Sequence, residues 1–160
     1  MAVRASREVV FEAPPEAILD ALADIGQVPE WSPVHKHAEV LDRHPDGRPR
    51  RVKATLKIMG ITDKEVLEYH WGHDWVVWDA AETFQQRGQH GEYNLTREGD
   101  DKTRVRFDII LDLTAPIPEF LIKRGKKIGL DVATESLRRR VMENTRRRSA
   151  SWPSGHHASS

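Results

Sequence analysis

The 160-residue sequence predicts an α+β fold, a curled antiparallel sheet of about seven strands packed on one long C-terminal helix. Three observations predict it. Between residues 37 and 111 apolar residues recur at every second position, which is typical of strands with one buried face. Turn sequences such as "PDG", "GHD" and "GDDK" separate these segments and favour hairpins, hence an antiparallel sheet. After Thr114 the apolar spacing changes once, to that of a helix.

The first two elements are a strand and a short helix. "VRASREVVFEAP" alternates as a strand that Pro14 ends. Pro15 suits the first position of a helix, and "PEAILDALADIG" keeps helical spacing until Gly26. The inward face of the strand is expected to carry Val9, Phe11 and Ala13.

The segment that follows places Trp31 between Pro29 and Pro33. No long regular element fits there, so the sequence predicts a second short helix or a turn. The prolines stiffen that turn, and Trp31 therefore loses little further backbone entropy when it becomes ordered.

Six amphipathic strands come next, each with one apolar and one polar face. Gly60 is expected in one of the hairpin turns between them. The residues predicted to face inward are Val52, Ala54, Leu56, Ile58, Leu67, Tyr69, Trp71, Val76, Trp78, Ala80, Tyr93, Leu95, Val105, Phe107, Ile109 and Leu111.

The last element is predicted as a helix from near Pro118 to near Asn144, long enough to cross the whole sheet. An apolar sheet face needs a partner, and only this helix is large enough. The first strand is expected to pair with the last one in a curled sheet. We expect a single domain over residues 1–145 and a disordered basic, serine-rich tail over residues 146–160.

Composition narrows the function. Lysine plus arginine and aspartate plus glutamate number 25 each, so there is no net pull toward nucleic acid or anionic membranes. The chain has no cysteine, which excludes disulfides and thiolate chemistry. No apolar run approaches membrane-spanning length and the first residues lack an apolar leader, so we expect a cytoplasmic protein without stable membrane insertion.

The element order and three stretches resemble the START-like (SRPBCC) superfamily. "VFEAPPEAILDALADIGQVPEWSPVHKHAEVL" resembles the opening of its polyketide cyclase/dehydrase and coenzyme Q-binding (lipid-transport) branch. "VVWDA" and "GEYNLTREGDDKTRVRFDIIL" resemble the central strand and the last hairpin of that branch. The resemblance runs from Val3 to Met142 and implies a helix-grip fold, in a small single-domain bacterial member, with a ligand cavity between sheet and long helix. Members bind lipids, sterols, quinones and polyketides, and some are enzymes.

The resemblance predicts a hydrophobic small molecule or lipid as the partner and a wall drawn from both layers. Gly125 and Gly129 lie four residues apart on one helix face, so their missing side chains favour open space there. A close packing of backbone is the alternative. The predicted ligand-binding residues are Trp31, Leu56, Ile58, Tyr69, Trp78, Tyr93, Phe107, Ile109, Leu121, Gly125, Ile128, Gly129 and Val132.

Catalytic chemistry has few candidates, so we expect no catalytic residue, no cofactor and no metal. His35 and His37 have a spacing that suits a metal, but surface histidines are the commoner interpretation. Glu65 shares the parity of the inward residues, although exposure at a strand end is expected. Tyr69 and Tyr93 are the expected polar contacts to a ligand. Binding is then expected to be nearly independent of pH between about 6 and 8.

Two other functions stay open. One is a polyketide cyclase or dehydratase with tyrosine and histidine as acid and base. The other is a macromolecular interaction module that uses the basic end of the long helix, as in ribosome-associated relatives. The sequence defines neither the ligand nor the oligomeric state.

Overall fold

The computed structural model describes residues 1–151, and the last nine residues, 152–160, lie outside the described part. Its first strand is followed by the predicted helix and then by two shorter helical elements, in the segment where the sequence predicts a second short helix or a turn. These elements are β1 (Ala2–Phe11), α1 (Pro15–Ala23), a 3₁₀ turn (Ile25–Gln27) and α2 (Val28–Trp31).

Six strands then run in hairpin order. They are β2 (His35–Arg43), β3 (Pro49–Ile58), β4 (Ile61–Trp71), β5 (Trp75–Ala80), β6 (Gln86–Gly99) and β7 (Lys102–Leu113). Between β3 and β4 both Met59 and Gly60 have positive φ, which is the backbone of a two-residue type I′ turn.

The C-terminal helix begins where the sequence predicts, with Pro118 as the residue before its first turn. It consists of α3 (Glu119–Asp131), a π-helical turn (Val132–Ser136) and α4 (Leu137–Ser151). The prediction that it ends near Asn144 is wrong. Glu143 and Arg147 form an ion pair one turn apart at 2.5 Å, and no proline lies between Pro118 and Pro153. Residues 146–151 are therefore helical, and the rest of the expected tail lies outside the described residues.

All strand pairs are antiparallel, and the order across the sheet is β1-β7-β6-β5-β4-β3-β2. The expected pairing of the first strand with the last is confirmed, with Val9 opposite Val105. The predicted register is confirmed too, since Val52 and Ala54 are buried whereas Lys53 is exposed. The curled sheet therefore turns its apolar face toward the helices.

The core fills the space between that face, α1 and the second half of the long helix. Phe11 from β1, Ile18 from α1, Val105 from β7, and Leu137 and Val141 from α4 are all at most 1 % exposed. The first half of the long helix is different, because α3 contains no fully buried residue. The space beneath α3 is where the candidate site lies.

Candidate binding cavity

A cavity of about 260 Å³ lies between the sheet and α3, and we call it the larger chamber. Strands, the segment after β7 and the helix all contribute apolar side chains to its wall. Of the predicted ligand-binding residues, the larger chamber is lined by Leu56, Ile58, Phe107, Ile109, Leu121, Gly125 and Gly129. The apolar lining residues outside that predicted set are Val3, Ala5, Met59, Ile61, Leu111, Leu113, Ile117, Ile122 and Leu130.

A second space of about 150 Å³, the smaller chamber, lies between the sheet, the short helices and the π-helical turn. It contains the predicted residues Trp31, Tyr69, Trp78, Tyr93 and Val132. The chambers share four wall residues, which are Leu56, Ile58, Phe107 and Gly129. They are therefore neighbouring parts of one apolar interior.

Ile128 is the predicted residue that lines neither chamber. Gly129 and Leu130, the next two residues, line the larger chamber, as do Ile122 and Lys126. At about 3.6 residues per turn, the lining face of α3 is centred on positions 122, 125, 126 and 129, and position 128 lies at its edge, beside Leu121. The sequence therefore predicts the helix face that lines the chamber with a small rotational error.

The two glycines of α3 leave unequal amounts of room. A Cβ atom added to Gly129 would meet nothing within 4 Å, so this glycine borders open space. A Cβ atom at Gly125 would lie 3.2 Å from the Cε atom of Met59, the flexible end of a side chain in the β3–β4 turn. Open space at Gly129 supports a void, rather than close backbone packing, beneath the helix.

Trp31 lies at the end of α2, and the short helices around it close the smaller chamber. Leu22, Ile25 and Val28 line that chamber beside it. The indole nitrogen of Trp31 is buried and has no hydrogen-bond partner among residues 1–151. The two prolines therefore position an aromatic wall residue that retains one unused donor.

Trp78 is the centre of an aromatic cluster on the inner face of the sheet. Its ring centroid lies 5.6 Å from that of Tyr69, 5.8 Å from Tyr93 and 6.1 Å from Phe107. The Trp78 ring fits because the residue opposite it on β6 is Gly91, where a Cβ atom would come within 2.2 Å of the ring. The four rings of this cluster line the smaller chamber.

The sequence predicts that Tyr69 and Tyr93 both provide polar contacts to a ligand, but the structure places their hydroxyl groups differently. The hydroxyl of Tyr93 donates to the carbonyl oxygen of Ala133 at 2.7 Å, inside the π-helical turn. This hydroxyl therefore stabilises the fold and is not available to a ligand. The sequence does not indicate this hydrogen bond. The hydroxyl of Tyr69 has no partner among the described residues and lines the smaller chamber. Burial raises the pKa of both tyrosines, so both stay neutral at ordinary pH.

Glu65 corrects the expectation of an exposed carboxylate. It is 5 % exposed and lines the larger chamber together with Asp63, Gln86 and Gln89. The amide nitrogen of Gln86 donates to Glu65 Oε2 at 2.8 Å and to Asp63 Oδ2 at 3.1 Å. With its amide nitrogen toward Glu65 Oε2 at 2.9 Å, Gln89 accepts from the indole nitrogen of Trp78 at 3.0 Å. The apolar wall thus includes one organised polar corner.

Burial and, to a smaller extent, the nearby charge of Asp63 raise the pKa of Glu65 to about 7, although the hydrogen bond from Gln86 acts in the opposite direction. The carboxyl group therefore titrates inside the window from pH 6 to 8. The expectation that ligand binding is nearly independent of pH between about 6 and 8 assumed that only exposed histidines titrate in this window. The pKa of Glu65 contradicts that assumption.

The two histidines of "HKH" do not lie together. His35 lines the smaller chamber, and its Nδ1 atom is 2.6 Å from the hydroxyl of the buried Ser32. Burial lowers the pKa of His35 to about 4. His37 is exposed, 3.6 Å from Glu39. Within residues 1–151 no three His, Asp or Glu side chains converge as a metal site would require.

Comparison with known proteins agrees with this architecture. The family described as polyketide cyclase/dehydrase and lipid transport matches residues 2–148. A START superfamily protein from Mycobacterium smegmatis has a TM-score of 0.78 and 21 % identity, covering 88 % of this chain and 97 % of its own. The ZhuI aromatase/cyclase from Streptomyces sp. R1128 has a TM-score of 0.70 and 14 % identity, covering 88 % and 96 %.

A protein from Thermus thermophilus is also similar, with a TM-score of 0.74 and 21 % identity over 89 % of this chain and 99 % of its own. These likenesses confirm the predicted helix-grip fold. No curated protein matches the sequence. No helix within residues 1–151 is both long and apolar enough to cross a membrane.

Proposed function

The chain belongs to the polyketide cyclase/dehydrase and lipid transport family of START-like proteins, and from this premise we propose that it binds, and carries or sequesters, an apolar small molecule or lipid in its two chambers. The observation that supports this most is the larger chamber, an apolar space of about 260 Å³ that the fold leaves open beneath α3.

The size of the chambers suits a small molecule. Ligand pockets span roughly 300–1,000 Å³, and the larger chamber together with the adjoining 150 Å³ reaches that range. Burying roughly 200 Å² of apolar ligand surface at about 25 cal/mol per Å² contributes about 5 kcal/mol. A wall of this kind therefore supplies affinity without a charge or a metal.

The test is the uptake of the neutral fluorescent probe N-phenyl-1-naphthylamine by two matched variants. Gly129→Leu places a leucine in the open space, and we expect it to weaken probe binding at least tenfold. It should not destabilise the fold, since glycine is about 1 kcal/mol less favourable than other residues in a helix interior. Lys123→Leu adds the same side chain at an exposed position of α3 and should bind the probe as the unmodified protein does.

Equal probe affinity in all three proteins would contradict binding in the larger chamber. Native mass spectrometry of the purified protein complements this test, because a retained molecule would identify the ligand class directly.

One observation favours a second candidate, a polyketide cyclase or dehydratase-type enzyme. A general base must titrate near the working pH and face the substrate, and Glu65 meets both conditions. The test is deuterium exchange at the methylene carbon of benzoylacetone. An enzyme of this kind should accelerate the exchange about 10²–10⁴-fold over buffer, and Glu65→Gln should remove the acceleration. Exchange no faster than in buffer would exclude this candidate.

The structure gives less support to an interaction module at the basic end of the long helix. Several arginines there have partners within the chain. Arg138 forms ion pairs with Glu12 at 2.6 Å, and Arg140 donates to the side chain of Gln27. These two arginines therefore bind the helix to other parts of the domain.

A further inference from the structure

The polar corner of the larger chamber contains a carboxylate with one occupied and one unoccupied oxygen. Glu65 Oε2 accepts hydrogen bonds from the side-chain amides of Gln86 and Gln89 at 2.8 and 2.9 Å. Oε1 forms no hydrogen bond within residues 1–151, and because Glu65 lines the chamber this oxygen is accessible from it. Two fixed amides thus hold the group in place and leave its other oxygen available to whatever occupies the chamber.

An unused polar atom in an apolar wall selects what binds beside it. Once a ligand fills the chamber and excludes water from this oxygen, an acceptor left without a partner costs about 1–3 kcal/mol, so a ligand that supplies the partner is favoured over one that does not. Apart from this polar corner, Gln85 and Lys126, the wall of the larger chamber is apolar and includes Phe107 and Ile109. The chamber therefore distinguishes ligands by the group that they present to the polar corner.

We propose that Glu65 Oε1 is the binding point for a neutral hydroxyl group, an alcohol or a phenol, carried by an otherwise apolar ligand. This inference rests on the proposed function and names the chemical class of its ligand. A hydroxyl group both donates and accepts, so it can donate to the carboxylate or accept from the carboxylic acid. A carbonyl group can only accept and a carboxylate would face like charge.

The charged neighbours support a neutral partner. Asp63 lies beside Glu65 on β4, where its Oδ2 atom accepts from the hydroxyl of Thr83 at 2.7 Å and from Gln86. Tyr69, on the same strand, stays neutral. From α3, Lys126 lines the same chamber. An anionic ligand would therefore meet two carboxylates, and a cationic one would meet an ammonium group and lose its own hydration in an apolar space.

The experiment compares two probes of nearly equal shape, 2-naphthol and 2-methylnaphthalene, which differ by a hydroxyl in place of a methyl group. An apolar cavity of about 150 Å³ holds benzene, so the larger chamber of about 260 Å³ has room for two fused rings. The dissociation constants of both probes are measured at pH 7 for the unmodified protein, for Glu65→Met, and for Glu68→Met on the outer face of β4 as the control.

The expected result is a coupling between the probe hydroxyl and Glu65. The preference for 2-naphthol over 2-methylnaphthalene should fall about tenfold in Glu65→Met and stay unchanged in Glu68→Met. A preference that is equal in all three proteins would overturn the proposal. A larger coupling for protonated 2-naphthylmethylamine than for 2-naphthol would overturn it as well, in favour of a cationic ligand.

A second measurement covers the case in which Glu65→Met does not fold. The ¹³C signal of the Glu65 carboxyl group, assigned by its absence in Glu65→Gln, should shift with 2-naphthol and hardly move with 2-methylnaphthalene. Equal shifts would contradict the proposal. If both probes bind without discrimination, only this inference fails. If neither probe binds the unmodified protein, the proposed function fails and this inference fails with it.

Discussion

The hydroxyl of Tyr93 on β6 and the carbonyl of Ala133 in the π-helical turn are joined by a buried hydrogen bond of 2.7 Å. A π turn interrupts the regular ladder of an α-helix, and here a carbonyl within that turn has a partner in the sheet. The centre of the sheet is thereby fixed to the middle of the C-terminal helix, at the boundary between the smaller chamber and the core.

We expect Tyr93→Phe to lower the free energy of unfolding by about 1–3 kcal/mol, because it leaves a buried carbonyl without its donor. Urea denaturation followed by circular dichroism measures this. Tyr69→Phe is the matched control, since the hydroxyl of Tyr69 has no partner among the described residues, and its effect should stay below about 0.5 kcal/mol. Equal losses in both variants would contradict a specific role for the bond.

The contribution of Glu65 to stability should be lost as the pH rises. Its pKa is raised from 4.5 to about 7 by burial, so the unfolded chain releases this proton at lower pH than the folded protein does. At 1.36 kcal/mol per pKa unit, the loss between pH 4.5 and 7 is about 3 kcal/mol. The test is the difference in free energy of unfolding between Glu65→Gln and the unmodified protein, which should change by about 3 kcal/mol from pH 4.5 to 7. The same difference for Glu68→Gln on the outer face should not change with pH. A difference for Glu65→Gln that is constant across this window would refute the assignment.

His35 should act in the opposite direction. Burial lowers its pKa from 6.5 to about 4. Between these two pH values the unfolded chain is therefore protonated at His35, whereas the folded protein is not. The contribution of His35 to stability is therefore lost as the pH falls from 6.5 toward 4, by up to about 3 kcal/mol. The difference in free energy of unfolding between His35→Gln and the unmodified protein should change by this amount across the window. The exposed His37 is the control, and the same difference for His37→Gln should stay constant.

Gly91 should tolerate no side chain. A Cβ atom there would lie 2.2 Å from the ring of Trp78, which would have to leave its place in the aromatic cluster. Gly91→Ala should cost about 1–3 kcal/mol of stability through overpacking. At Gly88 on the same strand the nearest contact of a new Cβ atom is an ordinary 3.9 Å, so Gly88→Ala should be nearly neutral. Thermal unfolding of both variants decides this, and equal melting temperatures would count against the steric argument.

The fold could be predicted from the sequence because strand alternation and helix spacing are local signals. Val52 and Ala54 alternate with lysines on one strand, and the structure keeps that register. The pairing of β1 with β7 followed from the need to close a curled sheet. The end of the helix was predicted too early, because the basic, serine-rich composition of the last residues indicated a disordered tail. In the structure the helix continues through three arginines, and an ion pair joins Glu143 to Arg147.

The site was predicted less completely, since its polar corner depends on contacts that are distant in sequence. Glu65 had the inward parity, but its partners could not be read from the sequence. A register shift between Gln86 and Gly88 breaks the alternation of β6 and turns Gln86 inward out of phase with Gln89. The hydroxyl of Tyr93 was assigned to a ligand because nothing in the sequence indicates a π turn opposite it.

The C-terminal helix is held with unequal strength along its length, and this has a kinetic consequence. In the π-helical turn Val132, Ala133, Thr134 and Ser136 are buried, and Asp131 just before it pairs with Arg7 at 2.7 Å, whereas α3 buries no residue completely. The weakly held half is also the roof of the larger chamber. We therefore expect amide hydrogens of α3 to exchange faster than those of α4, and a bound molecule to slow them. Movement of this half would then determine how quickly a guest enters and leaves, while the firmly held half keeps the domain folded during the exchange.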